Sequence, residues 1–272
     1  VQPVVSGFTG LAPLQGLEQP AVVRLAIATP VNYGSFGVGL FFVISGFVIP
    51  MSLMRYDARA FLVGRALRIY PTFWAGLACT IAAVAISAAW FGGGLPFSVK
   101  DAILHALPPL RALAQSKPLD GIVWTLEIEM FFYLLCACLA GAIARGRLSV
   151  ACAPFAIFAV WIPAFCIYVW PPAGYEKAIR HLYVVATYAP FLILMFVGVA
   201  LNFRQRGLIG RPAAALWAGA CLAMFTAAWA TRFIDMAPGA NPVADAIDLP
   251  SYLGAVAVFV LCMACQRWFT RG

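Results

Sequence analysis

Seven long stretches of mostly apolar residues constrain the fold of this chain more than any other feature. A helix needs about 20 such residues to cross the hydrocarbon core of a bilayer, where each backbone polar group must be satisfied within the protein. The candidate spans are 35–54, 72–91, 124–144, 149–170, 181–202, 212–231 and 250–268. The sequence therefore predicts an all-α, polytopic transmembrane helix bundle.

An eighth apolar segment, 101–116, is predicted to be one interfacial helix rather than a span. It is short and contains ionisable residues and a proline pair, namely Asp101, His105, Arg111, Pro108 and Pro109. Such a mixture suits the surface of a membrane better than its interior. Residues 1–34 are predicted to form an outer loop, and 1–272 to form a single membrane-embedded domain.

Charge and composition exclude several classes of protein. Charged residues make up 10% of the chain, whereas they make up about 25% of an ordinary soluble domain. With a mean hydropathy of +0.92, the chain is not expected to be a soluble enzyme, a disordered chain or a nucleic-acid-binding domain. We interpret the net charge of +8 as basic loops that face the cytoplasm and anionic lipid.

The distribution of basic residues predicts the orientation. Eleven of the eighteen Lys and Arg residues lie in the short segments 55–71, 145–147 and 203–211 and in the C-terminal tail. Short basic loops remain in the cytoplasm, so these segments are predicted to lie inside. The eight cysteines fall within apolar runs and are expected to pack there as small side chains.

Two motifs near the start of the chain are candidates for binding. The stretch 37–49 places small residues, among them Ser45 and Gly46, where a second helix or a ligand chain can approach closely. Arg65 and Arg68 are three residues apart and share a helix face, with Pro71 expected in the first turn of the next span. The pair is suited either to clamping phosphates or to anchoring in lipid head groups.

A third motif, at 124–133, places two carboxylates in an apolar helix, where they are costly and usually functional. Thr125, Glu129 and Tyr133 fall on one face, so we expect a functional role for Glu129. Glu127 points elsewhere and is interpreted as a solvated residue or one that favours the helix N-terminus. Trp124 fits either a substrate contact or an interfacial belt.

The two histidines are expected to be interfacial residues. Neither His105 nor His181 is interpreted as part of a metal-binding set with carboxylates or Cys. The sequence therefore predicts no metal site, and it contains no phosphate-binding loop or dinucleotide fingerprint.

Together the three motifs resemble the integral-membrane acyltransferase family 3, which comprises O-acyltransferases of glycans and related acceptors. The resemblance rests on 37–49 and on Phe61, Arg65, Arg68, Ile69, Pro71, Trp124, Thr125, Leu126, Glu129, Phe132 and Tyr133. Thr125 stands where the family usually has Ser, and Met130 where it often has a second Glu.

The resemblance implies transfer of an acyl group, usually acetyl, from cytoplasmic acyl-CoA to a hydroxyl of an outer carbohydrate or related acceptor. The implied partners are acyl-CoA (acetyl-CoA), membrane lipids and a glycan or lipid-linked glycan, and the implied location is the bacterial inner membrane. The implied site residues are Glu129 and Tyr133 for catalysis, Arg65, Arg68, Ser45, Gly46 and Phe47 for acyl-CoA, and Trp124 and Thr125 for the acceptor.

One feature of the family is not found in this sequence. The family's first membrane helix carries an Arg and, further along, a His that resembles a catalytic base. We therefore expect the chain to start downstream of that helix, and an inactive fragment is one alternative. A transporter or flippase of a lipid-linked or hydrophobic solute is another, although the related halves typical of transporters are not evident.

Overall fold

The structure of the protein, a computed structural model, describes residues 31–170, 172–174, 182–231 and 242–269. Every regular element in these ranges is helical, so the predicted all-α bundle is confirmed. Of the predicted outer loop 1–34, only residues 31–34 are described, and a helix already begins at Tyr33. His181 lies outside the described residues.

The helices follow the apolar stretches of the sequence. Their bounds are α1 (Tyr33–Leu53), α2 (Ala58–Phe91), α3 (Val99–His105), α4 (Pro108–Ala114), α5 (Val123–Cys138), α6 (Ala140–Ala144), α7 (Cys152–Val169), α8 (Leu182–Gln205), α9 (Arg211–Ala230) and α10 (Pro242–Phe269). A short 3-10 turn, Leu148–Ala151, leads into α7.

Six of the described helical segments are long and apolar enough to cross a membrane. The predicted span at 124–144 is helical but interrupted, because the chain there forms α5, of 16 residues, and α6, of 5 residues. Leu139 separates them with a ψ of 3°, which interrupts the regular helical backbone. At about 1.5 Å per residue, α5 reaches about 24 Å, short of a hydrocarbon core of about 30 Å.

Helix α2 combines two segments that the sequence analysis kept apart. The basic segment and the following span form one helix of 34 residues, with Pro71 in its interior rather than in a first turn. A proline is tolerated there because neighbouring groups in a membrane protein can satisfy the freed carbonyl. The helix is about 50 Å long, so its basic part extends beyond a bilayer core.

The segment predicted as one interfacial helix at 101–116 forms two. Helix α3 begins with a capping box in which the side chains of Ser98 and Asp101 exchange hydrogen bonds with backbone N–H groups. It ends before Pro108, which starts α4, because a proline ring displaces the preceding residue from helical geometry. Leu107 accordingly has a ψ of 76°.

Helix α8 lies at the centre of the bundle and packs against α1, α7 and α9, and α10 packs against α1 while its Tyr252 contacts Phe191 of α8. Two glycines allow α1 and α8 to cross closely. A Cβ on Gly46 would lie 1.9 Å from the Met195 carbonyl oxygen, and one on Gly198 would lie 2.2 Å from the Val43 carbonyl oxygen. The crossing therefore requires glycine on both helices.

The two ends of the bundle differ in character. At one end, termed the basic end, Arg206 donates to the carbonyls of Ile143 and Ala144. At the other, termed the opposite end, the Ser35 hydroxyl donates to Asp248 at 2.7 Å. These contacts bring together loops that the predicted alternation of spans assigns to the same side.

Candidate functional site

Glu129 lies at the centre of a polar cluster inside the bundle. Its Oε1 accepts hydrogen bonds from the Tyr133 hydroxyl, one turn along α5, at 2.5 Å and from the Ser45 hydroxyl of α1 at 3.2 Å. Tyr133 is buried and Glu129 is half-buried. The predicted alignment of Glu129 with Tyr133 is thus present, and we term Ser45, Arg65, Glu129 and Tyr133 the Glu129 cluster.

Arg65 joins this cluster from α2. Its guanidinium lies 5.4 Å from the ring centroid of Phe61 and 5.3 Å from that of Tyr133. One Nη donates to the Ser52 hydroxyl of α1 at 2.7 Å. Stacking on two rings and bonding to α1 fix this cation in place, as suits arginine better than lysine.

Arg68 has different surroundings although it is only three residues away. Its side chain is exposed, and within the described part of the chain it forms no hydrogen bond or ion pair. The two arginines of the predicted phosphate-binding face therefore differ in their availability to a ligand. Arg65 is held by the protein, and Arg68 is available to a ligand or a lipid head group.

The three residues of the predicted acyl-CoA segment, 45–47, contact three different helices. Ser45 faces α5, Gly46 contacts the backbone of α8, and the ring of Phe47 packs against Phe259 of α10 at 5.5 Å. The space beside Gly46, where a second helix or a ligand chain was expected to approach, is occupied by the backbone of Met195. Gly46 therefore has a packing role in the structure.

A second polar cluster, which the sequence analysis missed, lies at the opposite end. Glu127 is 0% exposed and forms a two-pronged ion pair with Arg111 of α4. It also accepts a hydrogen bond from the Tyr188 hydroxyl of α8 at 2.5 Å. The interpretation of Glu127 as a solvated residue is wrong, because this carboxylate is fully buried and paired.

Arg111 is positioned by the short helices that precede α5. Its side chain is buried, and a further Nη donates to the Ser116 carbonyl at 2.9 Å. A buried ion pair is tolerated only when the surrounding hydrogen bonds satisfy it. The Arg111–Glu127–Tyr188 cluster meets this condition and ties α4, α5 and α8 together.

His105 has a carboxylate partner that the sequence did not predict. It is 0% exposed, and its Nδ1 accepts the Leu119 N–H, so Nε2 carries the proton that bonds Asp120 at 3.1 Å. The hydrogen bond from His105 and those from the Ile122 and Val123 N–H groups lower the pKa of Asp120 to about 2. Asp120 is thus ionised at neutral pH.

Trp124 and Thr125 lie outside the Glu129 cluster. Trp124 packs on Phe191 at 5.4 Å between ring centroids and borders a cavity of about 500 Å³, which we term the Trp124 cavity. Its walls include Arg111, Gln115, Lys117, Asp120, Tyr183 and Tyr188. The Thr125 hydroxyl instead donates to the Ile122 carbonyl at 2.8 Å at the start of α5.

Little in the sequence could have revealed the second cluster. Arg111 and Glu127 lie on different helices separated by a loop, so no helical spacing links them. The available signals were a charge in a short amphipathic segment and a carboxylate within an apolar helix. Among the described residues, no group of three or more His, Cys, Asp or Glu side chains is arranged to hold a metal ion.

Comparisons with known proteins yielded one match. A family model described as an acyltransferase domain, that of acyltransferase family 3, matches residues 8–272. No curated protein and no solved structure matches the chain.

Proposed function

Because this chain belongs to the acyltransferase family 3, we propose that it transfers an acyl group, acetyl in the usual case, from acyl-CoA to a hydroxyl of an outer carbohydrate. Acyl transfer in general and a multi-pass membrane location follow from the family and the apolar helices. The donor, the acceptor, the sidedness and the bacterial inner membrane are parts of the proposal.

The reaction defines what the site must do. The hydroxyl oxygen attacks the thioester carbonyl carbon, the carbon–sulfur bond breaks, and the proton lost by the hydroxyl ends on the sulfur of coenzyme A. The protein has to direct that proton, stabilise the oxyanion and exclude water from the thioester.

The observation that carries the proposal is the Glu129 cluster. Oε1 of Glu129 is engaged by Tyr133 and Ser45, whereas Oε2 has no hydrogen-bond partner among the described residues. This second oxygen is suited to align the acceptor hydroxyl, or the group that deprotonates it, with the thioester. Tyr133 and Ser45 hold the carboxylate in that orientation.

The basic end supports the donor side of the proposal. Arg68 is exposed there without an ion-pair partner in the described residues, and Arg65 connects the same helix face to Tyr133. An arginine can bind the phosphates of coenzyme A by two parallel hydrogen bonds. Short basic loops at this end favour a cytoplasmic position, where acyl-CoA is available.

The proposal is tested with protein reconstituted in sealed vesicles, its orientation measured by protease cleavage at the loop between α1 and α2. Radiolabelled acetyl-CoA, which does not cross a bilayer, is supplied on one side and a mixed bacterial glycan on the other. We expect labelled glycan only when acetyl-CoA faces the basic end. Uptake of glycan without covalent label would instead favour a transporter.

A further inference from the structure

The Trp124 cavity lies outside the Glu129 cluster and has the composition of a ligand site. Ligand pockets typically enclose about 300–1,000 Å³ and combine apolar walls with a few polar groups, and this cavity encloses about 500 Å³. Four aromatic residues contribute to its walls, namely Trp124, Tyr168, Tyr183 and Tyr188.

Several polar groups on these walls are available to a ligand. Within the described part of the chain, the Gln115 amide, the Trp124 indole N–H and the Tyr183 hydroxyl hydrogen-bond to no protein atom. Gln115 also has a φ of 50°, a left-handed conformation that residues with a side chain rarely adopt. The fold thus holds a glutamine at a position where a glycine would be easier to accommodate.

The charges around the cavity cancel. Arg111 and Lys117 supply two positive charges to the walls, while Asp120 and the adjoining Glu127 supply two negative ones. A balanced site does not select a strongly ionic ligand. Flat aromatic faces together with unpaired amide, indole and phenol groups fit a neutral, hydroxyl-rich ring, whose C–H faces pack on aromatic rings while its hydroxyls bond the polar groups.

The cavity also lies close to the Glu129 cluster. Trp124 packs against Phe42 of α1, and Glu129 binds Ser45, which is one turn further along α1. Trp124 and Glu129 are five residues apart, so Glu129 lies about 7–8 Å deeper along the axis of α5. The two side chains leave α5 about 140° apart around its axis, so a ring held in the cavity lies nearer the opposite end of the bundle than the Glu129 cluster does.

We infer that the Trp124 cavity binds a neutral sugar unit of the acyl acceptor, with Gln115, Trp124 and Tyr183 as its direct contacts. This inference rests on the proposed acyl transfer and adds the location and chemical class of the acceptor. The Arg111–Glu127 pair acts as a positioning element, since it fixes α4, and with it Gln115, against α5.

The test uses the detergent-solubilised full chain and methyl glycosides of glucose, galactose, mannose, rhamnose and N-acetylglucosamine, observed by saturation-transfer NMR. Two variants remove cavity groups: Gln115→Gly, which suits the left-handed backbone and so does not threaten folding, and Tyr183→Leu. Matched controls are Gln205→Ala and Tyr56→Leu, whose exposed side chains lie at the basic end.

We expect saturation transfer to at least one glycoside, reduced about fivefold by each cavity variant, as for the loss of one hydrogen bond, and unchanged by the controls. Absence of transfer to all five glycosides, or equal transfer in the cavity variants, would overturn the inference.

Acylation assays separate this inference from the proposed function. If labelled acetyl reaches a glycan with the same acceptor KM in wild type and cavity variants, acyl transfer stands and the cavity assignment fails. If glycosides bind the cavity but no acetyl-CoA is consumed, the assignment of the cavity to a sugar stands and the proposed function fails.

Discussion

At the scale of single residues, the stability of the protein is most sensitive to mutation of the buried ion pair between Arg111 and Glu127. The Glu127 carboxylate is fully buried, and its charge is balanced by Arg111. Removal of one partner leaves an uncompensated buried charge, which typically costs about 3–5 kcal/mol. Replacement of both partners by apolar residues avoids that penalty.

We therefore predict that Glu127→Ala strongly lowers the thermal unfolding midpoint of the detergent-solubilised protein. The double variant Arg111→Met/Glu127→Leu should recover most of the loss, because no charge remains unpaired. Unfolding followed by intrinsic fluorescence measures both. Equal midpoints for Glu127→Ala and wild type would contradict the buried pair.

The two arginines of α2 should respond differently to mutation. Arg68→Ala is predicted to raise the KM for acetyl-CoA with little change in unfolding midpoint, because Arg68 is exposed. Arg65→Ala should lower both kcat and the midpoint, and Arg65→Lys should not restore them, because an ammonium cannot stack on Phe61 and Tyr133 in the same way.

The control for this pair is Arg59→Ala, which removes another exposed arginine of the same helix. It should leave KM, kcat and midpoint near wild type. Identical behaviour of Arg65→Ala and Arg68→Ala would show that the two side chains share one role, against the distinct surroundings described above.

Local spacing predicted one polar cluster and missed the other. Glu129 and Tyr133 are four residues apart on one helix, so their contact follows from helical geometry. Glu127 and Arg111 meet only because α4 folds back onto α5, which no spacing reveals. The hydrogen bond between Asp120 and His105 was missed for the same reason.

At the scale of secondary-structure elements, the crossing of α1 and α8 sets the geometry of the interior. We predict that Gly46→Ala severely reduces the yield of folded protein, because its Cβ would overlap the Met195 carbonyl. Gly37→Ala, in the same helix, is the matched control, since its Cβ would meet nothing within 4 Å. Size-exclusion chromatography in detergent measures the folded fraction, and equal profiles would contradict the crossing.

The segment at α3 and α4 should lose stability in acid. The pKa of Asp120 is about 2 in the folded protein and about 3.9 in an unfolded chain. Between these values the unfolded state binds more protons, so the stabilisation is complete above pH about 4 and is lost as the pH falls towards 2.

The Asp120→Asn variant tests this dependence. It should unfold at a lower temperature than wild type at pH 7, and its midpoint should fall less between pH 4 and pH 2. Asp57→Asn is the control, because asparagine caps a helix as well as aspartate does, and it should retain the wild-type slope. If the unfolding midpoint of Asp120→Asn depended on pH as steeply as that of wild type, the lowered pKa of Asp120 would be contradicted.

Helix boundaries were predicted correctly where hydropathy alone determines them. They were missed where local backbone geometry determines them. The ends of α1, α8 and α9 lie within a few residues of the predicted spans. The break at Leu139 and the continuity of α2 through Pro71 depend on backbone geometry and tertiary packing. Hydropathy contains no signal for either.

At the scale of the whole molecule, composition was sufficient to predict the class. An apolar chain with few charges has to be a membrane protein, and helices are the simplest way to satisfy its backbone in lipid. The arrangement of the helices was not predictable, because apolar stretches do not specify their neighbours. Central placement of α8 follows from the close contact at Gly46 and Gly198.

The proposed role of Glu129 in acyl transfer across the membrane is tested by a comparison of three reconstituted proteins. Reconstituted wild type, Glu129→Gln and Cys138→Ser, an exposed position on the same helix, are given radiolabelled acetyl-CoA at the basic end and glycan at the opposite end. We predict labelled glycan with wild type and Cys138→Ser, and a loss of about a hundredfold or more with Glu129→Gln. Equal labelling by Glu129→Gln at matched protein levels, or none by wild type, would show that Glu129 does not have this role.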